Sequence, residues 1–165
     1  MSTAPINSSP THVNRIMAVM EAAFDPAFGE AWNRRQITDA LVLTSTHALI
    51  LDPDGHPIPD TAPADDPRQP AGFILTRQAA DEEELLLIAV LPEFRRKGLG
   101  EALIRHMFTR AEARRTRHIF LEMRRGNPAI RLYEKMGFEP IGERQEYYRL
   151  ANGSRVDAIT FRCSI

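Results

Sequence analysis

The stretch Ile88-Ala89-Val90-Leu91-Pro92-Glu93-Phe94-Arg95-Arg96-Lys97-Gly98-Leu99-Gly100 sets three cations and two glycines between an apolar run and a helical pattern. The chemistry it offers is anion binding. Gly98 and Gly100 let backbone approach a ligand closely, and the first turn of the following helix leaves its N–H groups without intrahelical partners. Such a helix start is an anion site, and Arg95, Arg96 and Lys97 place further positive charge beside it. A pyrophosphate would fit. A tight strand-to-helix turn with no ligand accounts for the same spacing. The third glycine of a dinucleotide fingerprint and the Gly-Lys-Ser/Thr ending of a P-loop are both missing, so Rossmann and P-loop NTPase readings are poor.

The elements around this turn follow from apolar periodicity. Ser9-Pro10 opens a helix with Val13, Ile16, Met17, Met20 and Phe24 on one face. Asn33 and Gln36 form a cap pair that opens a second helix, with Ile37, Ala40 and Leu41 inward. Thr46–Leu51 reads as a strand, and Ala71–Arg77 with Glu83–Val90 as a hairpin. A third helix runs from Gly98 to about Arg115, and His118–Met123 is a strand. Asn127-Pro128 starts a fourth helix that ends at Gly137. Phe138–Leu150 and Arg155–Cys163 are strands joined by the hairpin signal Asn152-Gly153. A further strand is expected within the first eight residues. Residues 52–70 hold six of the 12 prolines and five aspartates, too many missing N–H donors for a helix or an inner strand. They read as a solvated loop or, more sharply, a substrate lid. The helix between the strands ending at Val90 and starting at His118 makes that pair parallel. The expectation is an α/β (α+β) fold: a mixed, mostly antiparallel sheet with helices on both faces.

At 165 residues the chain is one domain, 1–165, large enough for a real core. A single cysteine, Cys163, excludes an intrachain disulfide framework and a cysteine-type zinc cluster, and it reads as a buried, inert thiol. The five histidines show no metal-ligand spacing, so no metal is expected. No apolar run reaches the roughly 18 residues of a spanning helix, and the first residues carry no basic leader. A cytoplasmic protein with no membrane partner is the expectation.

Two motifs resemble a known superfamily. Arg95-x-x-Gly98-x-Gly100 after an apolar strand resembles the acyl-CoA pyrophosphate motif of the GNAT N-acetyltransferases. Asn127-Pro128-Ala129-Ile130-Arg131-Leu132-Tyr133-Glu134-Lys135-Met136-Gly137-Phe138 resembles that superfamily's second signature. Leu121-Glu122-Met123-Arg124, Glu146-Tyr147-Tyr148, Asn152-Gly153 with Asp157-Ala158, and Ala31-Trp32-Asn33 are similar to the RimI-type ribosomal-protein alanine N-acetyltransferases. Asn127 departs from that pattern, standing one residue nearer Tyr133 than is usual there.

The resemblance implies the GNAT fold, with a central parallel strand pair splayed to admit acetyl-CoA as cosubstrate. It implies that backbone groups of Ile88, Ala89 and Val90 pair with the pantetheine arm, that Arg95, Arg96, Lys97, Gly98, Leu99 and Gly100 hold the pyrophosphate, and that Asn127 contributes to the cofactor site. It makes Glu122 the general base and Tyr133 the acid that protonates the departing sulfur. Glu84, which matches the base position of histone-type GNAT enzymes, is the alternative base. Read without the resemblance, Glu122 is a carboxylate paired with Arg124 or another arginine, and Tyr133 is a core tyrosine beside Leu132 and Met136. The implied acceptor is the N-terminal alanine of a ribosomal protein, with a small amine or a lysine side chain as the alternative. A non-catalytic RNA- or ribosome-binding module is the rival of another class, motivated by Arg110, Arg114, Arg115, Arg117, Arg124 and Arg125.

The net charge of −1 conceals an asymmetry. Residues 95–125 hold 10 Lys/Arg against three Glu, a net of +7, and the remainder holds 11 Lys/Arg against 19 Asp/Glu, a net of −8. The balance suits an anionic cofactor and a cationic acceptor that Asp81–Glu84 could attract, or else that acidic cluster is a solvated hairpin turn. It gives no overall signature of a nucleic-acid binder.

Overall fold

The computed structural model describes residues 8–165, and the strand expected within the first eight residues falls on 1–7, outside the described part, with Ser8 in a 3-10 turn. Helix α1 (Pro10–Ala23) begins where Ser9 accepts the His12 N–H, with proline in the first turn. Helix α2 (Arg34–Val42) opens on a reciprocal capping box: Asn33 Oδ1 accepts the Gln36 N–H at 2.9 Å and Gln36 Oε1 accepts the Asn33 N–H at 2.8 Å. Strands β1 (Thr46–Leu51), β2 (Pro57–Ile58), β3 (Gly72–Ala79) and β4 (Glu82–Val90) follow, then α3 (Leu99–Ala113), β5 (His118–Arg124), α4 (Ile130–Lys135), β6 (Glu139–Arg149) and β7 (Arg155–Ser164). Among the described residues seven strands form one sheet in the order β2-β1-β3-β4-β5-β7-β6. Of these pairings only β4 with β5 is parallel.

Two apolar clusters cover the two sheet faces. On one, Val13, Ile16 and Met20 of α1 and Ile37 and Leu41 of α2 meet Ile50, Phe73, Leu75, Leu87 and Ala89. On the other, Leu103, Ile104 and Met107 of α3 and Tyr133 of α4 meet Leu49, Ile74, Leu85, Leu121, Phe138 and Phe161. Strict alternation would put Leu85, Leu87 and Ala89 on one face. They are divided because the β3–β4 register jumps from Leu75↔Leu87 to Thr76↔Leu85, leaving Leu86 as an extra residue in β4. A bulge bends its strand and increases local twist. The parallel pairing with β5 stops at the same place, at Leu85↔Leu121, so β4 and β5 diverge over their C-terminal halves.

Residues 52–70 form a loop for most of their length, but not a wholly solvated one. They supply the short edge strand β2, and Asp52, Ile58 and Ala62 are buried. Arg15 of α1 donates to the carbonyls of Ala62 (2.9 Å) and Pro63 (2.5 Å), tying the segment down across the sheet edge. None of these residues lines the gap between β4 and β5. Helix α4 starts at Ile130 rather than at Asn127-Pro128, because Asn127 Oδ1 accepts the Ala129 N–H and closes a turn first.

Candidate active site

The divergence of β4 and β5 opens a cleft of about 980 Å³. Its walls are Leu85–Val90 of β4, Leu121–Arg124 of β5, the Ala23–Trp32 connection between α1 and α2, the start of α3, and α4 with Tyr133. The Leu91 N–H donates to the Ala71 carbonyl at 2.8 Å, which makes Gly72↔Val90 a non-hydrogen-bonded pair of the β3–β4 ladder. By alternation, Ile88 and Val90 turn their backbone groups away from β3, into the gap where β5 has withdrawn. They form a strand edge able to take an extended ligand as a partner. Ala89 lines the cleft as well, but its own N–H and C=O face β3 and its methyl is buried in the α1 cluster.

The turn into α3 has the geometry its glycines predict, with two refinements. Gly98 is left-handed at φ +82°, caps α3 without any side-chain acceptor, and has no atom within 4 Å of where a Cβ would stand. Gly100 serves packing: a Cβ there would come 3.0 Å from Leu132 Cδ2 of α4. Arg96 is also left-handed, at φ +60°, so the turn alternates hand as anion-binding nests do. The cations are not all free. Arg95 donates to the carbonyls of Val90 (3.1 Å) and Ala23 (2.7 Å), bracing the end of β4 against the end of α1. Lys97 lies over the Phe94 ring at 5.6 Å and does not line the cleft. Arg95, Arg96, Gly98, Leu99 and Gly100 do line it, as does Asn127.

At the far end of the cleft stand Glu122, Tyr133 and Tyr148. Glu122 accepts from Thr160 Oγ1 at 3.4 Å and faces Arg144 at 3.6 Å. Its arginine partner is therefore Arg144 of β6, not Arg124. Tyr133 is buried, packed edge-on against Phe138 at 6.0 Å between ring centres. Burial pushes its phenol well above the usual tyrosine range, helped by nearby Glu30 and Tyr148. Burial and Glu122 together raise Tyr148 to about 12. Arg124 stacks on the Phe28 ring at 3.5 Å and pairs with Glu30 at 3.0 Å. Burial raises the Glu30 carboxyl, and Arg124 opposes that shift. Phe28 and Glu30 gave no periodic or motif signal. Their only sequence trace is the Pro26–Gly29 turn, which holds them over β5.

Glu84 does not line the cleft; it pairs with Arg77 at 2.7 Å on the partnered part of β4. Two neighbours in the acidic run around it also have arginine partners. Glu83 is buried, accepting from Thr76 Oγ1 (2.5 Å), Arg114 (2.6 Å) and Thr116 Oγ1 (3.3 Å), and Asp81 faces Arg117 at 3.9 Å. Arg125 bonds both Glu143 and Asp157. Much of the arginine series that suggested RNA binding is thus paired within the fold. Asp52, Asp54 and His56 bring potential ligand atoms within 4.8 Å of one another, but Asp52 Oδ1 already accepts the N–H groups of Asp54 and His56. Among the described residues no helix is long and apolar enough to cross a membrane.

A family model described as an acetyltransferase (GNAT) domain matches residues 62–140, the stretch that carries the bulged β4, the glycine turn and α4. The crystal structure of the ribosomal-protein-S18-alanine N-acetyltransferase from Escherichia coli superposes with a TM-score of 0.76 at 28% identity, over 95% of this chain and 90% of that one. The chain has the GNAT fold, and residues 62–140 match the GNAT domain model. Outside that match, the GNAT fold accounts for the remaining elements too, since the superposition spans nearly the whole chain. In sequence, the [ribosomal protein bS18]-alanine N-acetyltransferase of Escherichia coli (strain K12) is 42% identical over 90 residues, which is 54% of this chain and 60% of that relative. An aminoglycoside 6'-N-acetyltransferase solved with coenzyme A shares the GNAT fold at a TM-score of 0.71 and 14% identity.

Proposed function

We propose that this chain is an acetyl-CoA-dependent N-acetyltransferase whose acceptor is the N-terminal alanine amine of a ribosomal protein. The observation that carries the reading is the cleft where β4 leaves β5: a strand edge that β5 no longer pairs, a helix start without a side-chain cap beside it, and a carboxylate and a buried phenol on the same cleft. The donor set fits an acyl-CoA. Backbone groups of Ile88 and Val90 would take the amide-bearing arm as a short strand. The turn from Arg95 to Gly100 would take the pyrophosphate, with Arg96 the cation nearest to hand. An N–H at the β4 edge would polarise the thioester oxygen.

An α-amine has a pKa of about 7.7–8, so only modest help is needed to present it neutral. Glu122 takes that role directly or through water. The amine attacks the thioester carbonyl, the C–S bond breaks, and Tyr133 gives its proton to the departing sulfur while the acceptor's proton goes to Glu122. The ribosomal acceptor is supported by the 42% identity to an enzyme of that name, which spans about 60% of the relative's length. The test is thiol release from acetyl-CoA with a peptide that begins with alanine. Release with the free peptide and none with its N-terminally blocked form supports the proposal. Equal release from both, or release only with small amines, refutes the assigned acceptor.

A further inference from the structure

We infer that Asp157, which no role above uses, is a positioning residue that shapes the acceptor end of the cleft; the inference rests on the acetyltransferase reading. Strands β6 and β7 pair regularly at Arg144↔Ala158 and again at Tyr148↔Val156. Between those pairs β7 has one residue, Asp157, and β6 has three, Gln145, Glu146 and Tyr147. The surplus is accommodated by an excursion in which Glu146 is left-handed at φ +49°, a conformation side chains other than glycine seldom adopt.

Asp157 fills the opening that the excursion leaves. Its Oδ1 accepts the Glu146 N–H at 2.9 Å, which would otherwise have no strand partner. Its Oδ2 accepts from Arg125 Nε at 3.2 Å, and its backbone carbonyl accepts the Arg125 N–H at 2.8 Å. The Arg125 guanidinium reaches on to Glu143. The Glu146 N–H and then the Glu143 and Arg125 contacts hold the Asp157 carboxyl below the usual carboxylate range.

The two residues that bracket the excursion are the β6 residues that meet Glu122, beside Thr160 of β7. Arg144 faces Glu122 at 3.6 Å and Tyr148 lies against it, while Arg144 also sits 5.0 Å from the Tyr147 ring. In a regular ladder the β6 side chains would advance by two residues and one of these contacts would be lost. The function assigned to Asp157 is therefore to fix the excursion by accepting one backbone N–H, so that Arg144 and Tyr148 reach Glu122 from the same strand. It touches neither acetyl-CoA nor the reacting atoms.

The test compares Asp157→Ala, Asp157→Asn and Asp157→Glu in the full chain. Asn keeps an oxygen for the Glu146 N–H and drops the charge; Glu keeps the charge and displaces the oxygen by a methylene. The expected pattern is an acceptor-peptide KM raised about tenfold in Ala, the loss of about one hydrogen bond's worth of positioning, and raised also in Glu. Asn should restore it to near wild type, and the KM for acetyl-CoA should stay unchanged in all three. Amide hydrogen exchange at Glu146 should be fast in Ala and Glu and slow in wild type and Asn. Wild-type acceptor KM in Ala, or failure of Asn to rescue, overturns the inference. So does an equal rise in both KM values. If the wild-type chain acetylates no peptide, the acetyltransferase reading fails, and the exchange pattern still decides whether Asp157 holds the excursion. If Ala does not fold, the contrast between Asn and Glu carries the same two outcomes.

Discussion

Replacing Tyr133 with phenylalanine separates the proposed acid from the core residue that shares its position. The ring packs against Phe138 and belongs to the α3-side cluster, and none of that is lost in Tyr133→Phe. The stability change should stay within about 1 kcal/mol, the worth of a single hydroxyl's hydrogen bonding. The rate should respond more. General acid catalysis contributes roughly 10²–10⁴-fold where the leaving group is a poor one, but a thiol with a pKa of about 8.5 leaves readily near neutral pH. The effect should therefore lie at the low end, roughly 10- to 100-fold in kcat, or about 1.4–2.7 kcal/mol of barrier. Because burial holds the phenol above its ordinary range, it stays protonated throughout any practical assay range. The rate–pH profile of the variant should accordingly keep the wild-type shape at a lower level. Steady-state kinetics from about pH 6 to 9, spanning the amine's ordinary pKa, with acetyl-CoA and acceptor varied in turn, measures all of this. A kcat within about twofold of wild type, or a loss confined to the acetyl-CoA KM, would refute the assignment of Tyr133 as the acid.

Glu83→Ala leaves Arg114 facing a buried vacancy and frees Thr76 and Thr116. Since Arg114 is partly exposed, the cost should sit near the low end of the roughly 3–5 kcal/mol for a broken buried pair, or roughly a 10 °C drop in Tm; a drop of under about 2 °C would contradict the network. His12 is buried with both ring nitrogens lacking hydrogen bonds, and burial lowers its pKa. The unfolded chain then binds a proton that the folded chain refuses, so stability falls as pH drops below about 6.5. His12→Leu should lose less Tm than wild type between about pH 7.5 and 5.5, and an equal loss would place the sensitivity elsewhere, with His47 the next candidate because burial lowers it too. Gly98→Ala meets no atom within 4 Å, so its cost is conformational alone, about 1 kcal/mol. It should raise the KM for acetyl-CoA while leaving that for the acceptor unchanged, and the reverse split would remove the turn from the cofactor site.

What the sequence revealed was local, and what it concealed was relational. The capping box of Asn33 and Gln36 is written in two residues three apart and forms as read. The parallel β4–β5 pair follows from one intervening helix, and the glycine turn from the left-handed demand at Gly98. The bulge at Leu86 left no trace, because an almost unbroken apolar run from Leu85 to Val90 has no alternation to interrupt. Yet that bulge accompanies the opening of the cleft. The acidic run 81–84 looked like a charged entrance because its partners, Arg77, Arg114 and Arg117, come from neighbouring elements. The prolines of 52–70 excluded an inner strand but not an edge strand, nor the burial of Ile58 and Ala62. Glu30 is recognisable as a site residue only once Arg124 is beside it.

A crystal structure with coenzyme A bound measures the central claim most directly. The pantetheine arm should lie extended along Ile88–Val90, the pyrophosphate should rest on the turn from Arg95 to Gly100, and the sulfur should face Glu122 and Tyr133. Coenzyme A bound outside the gap between β4 and β5, or a sulfur turned toward Glu84, would contradict it.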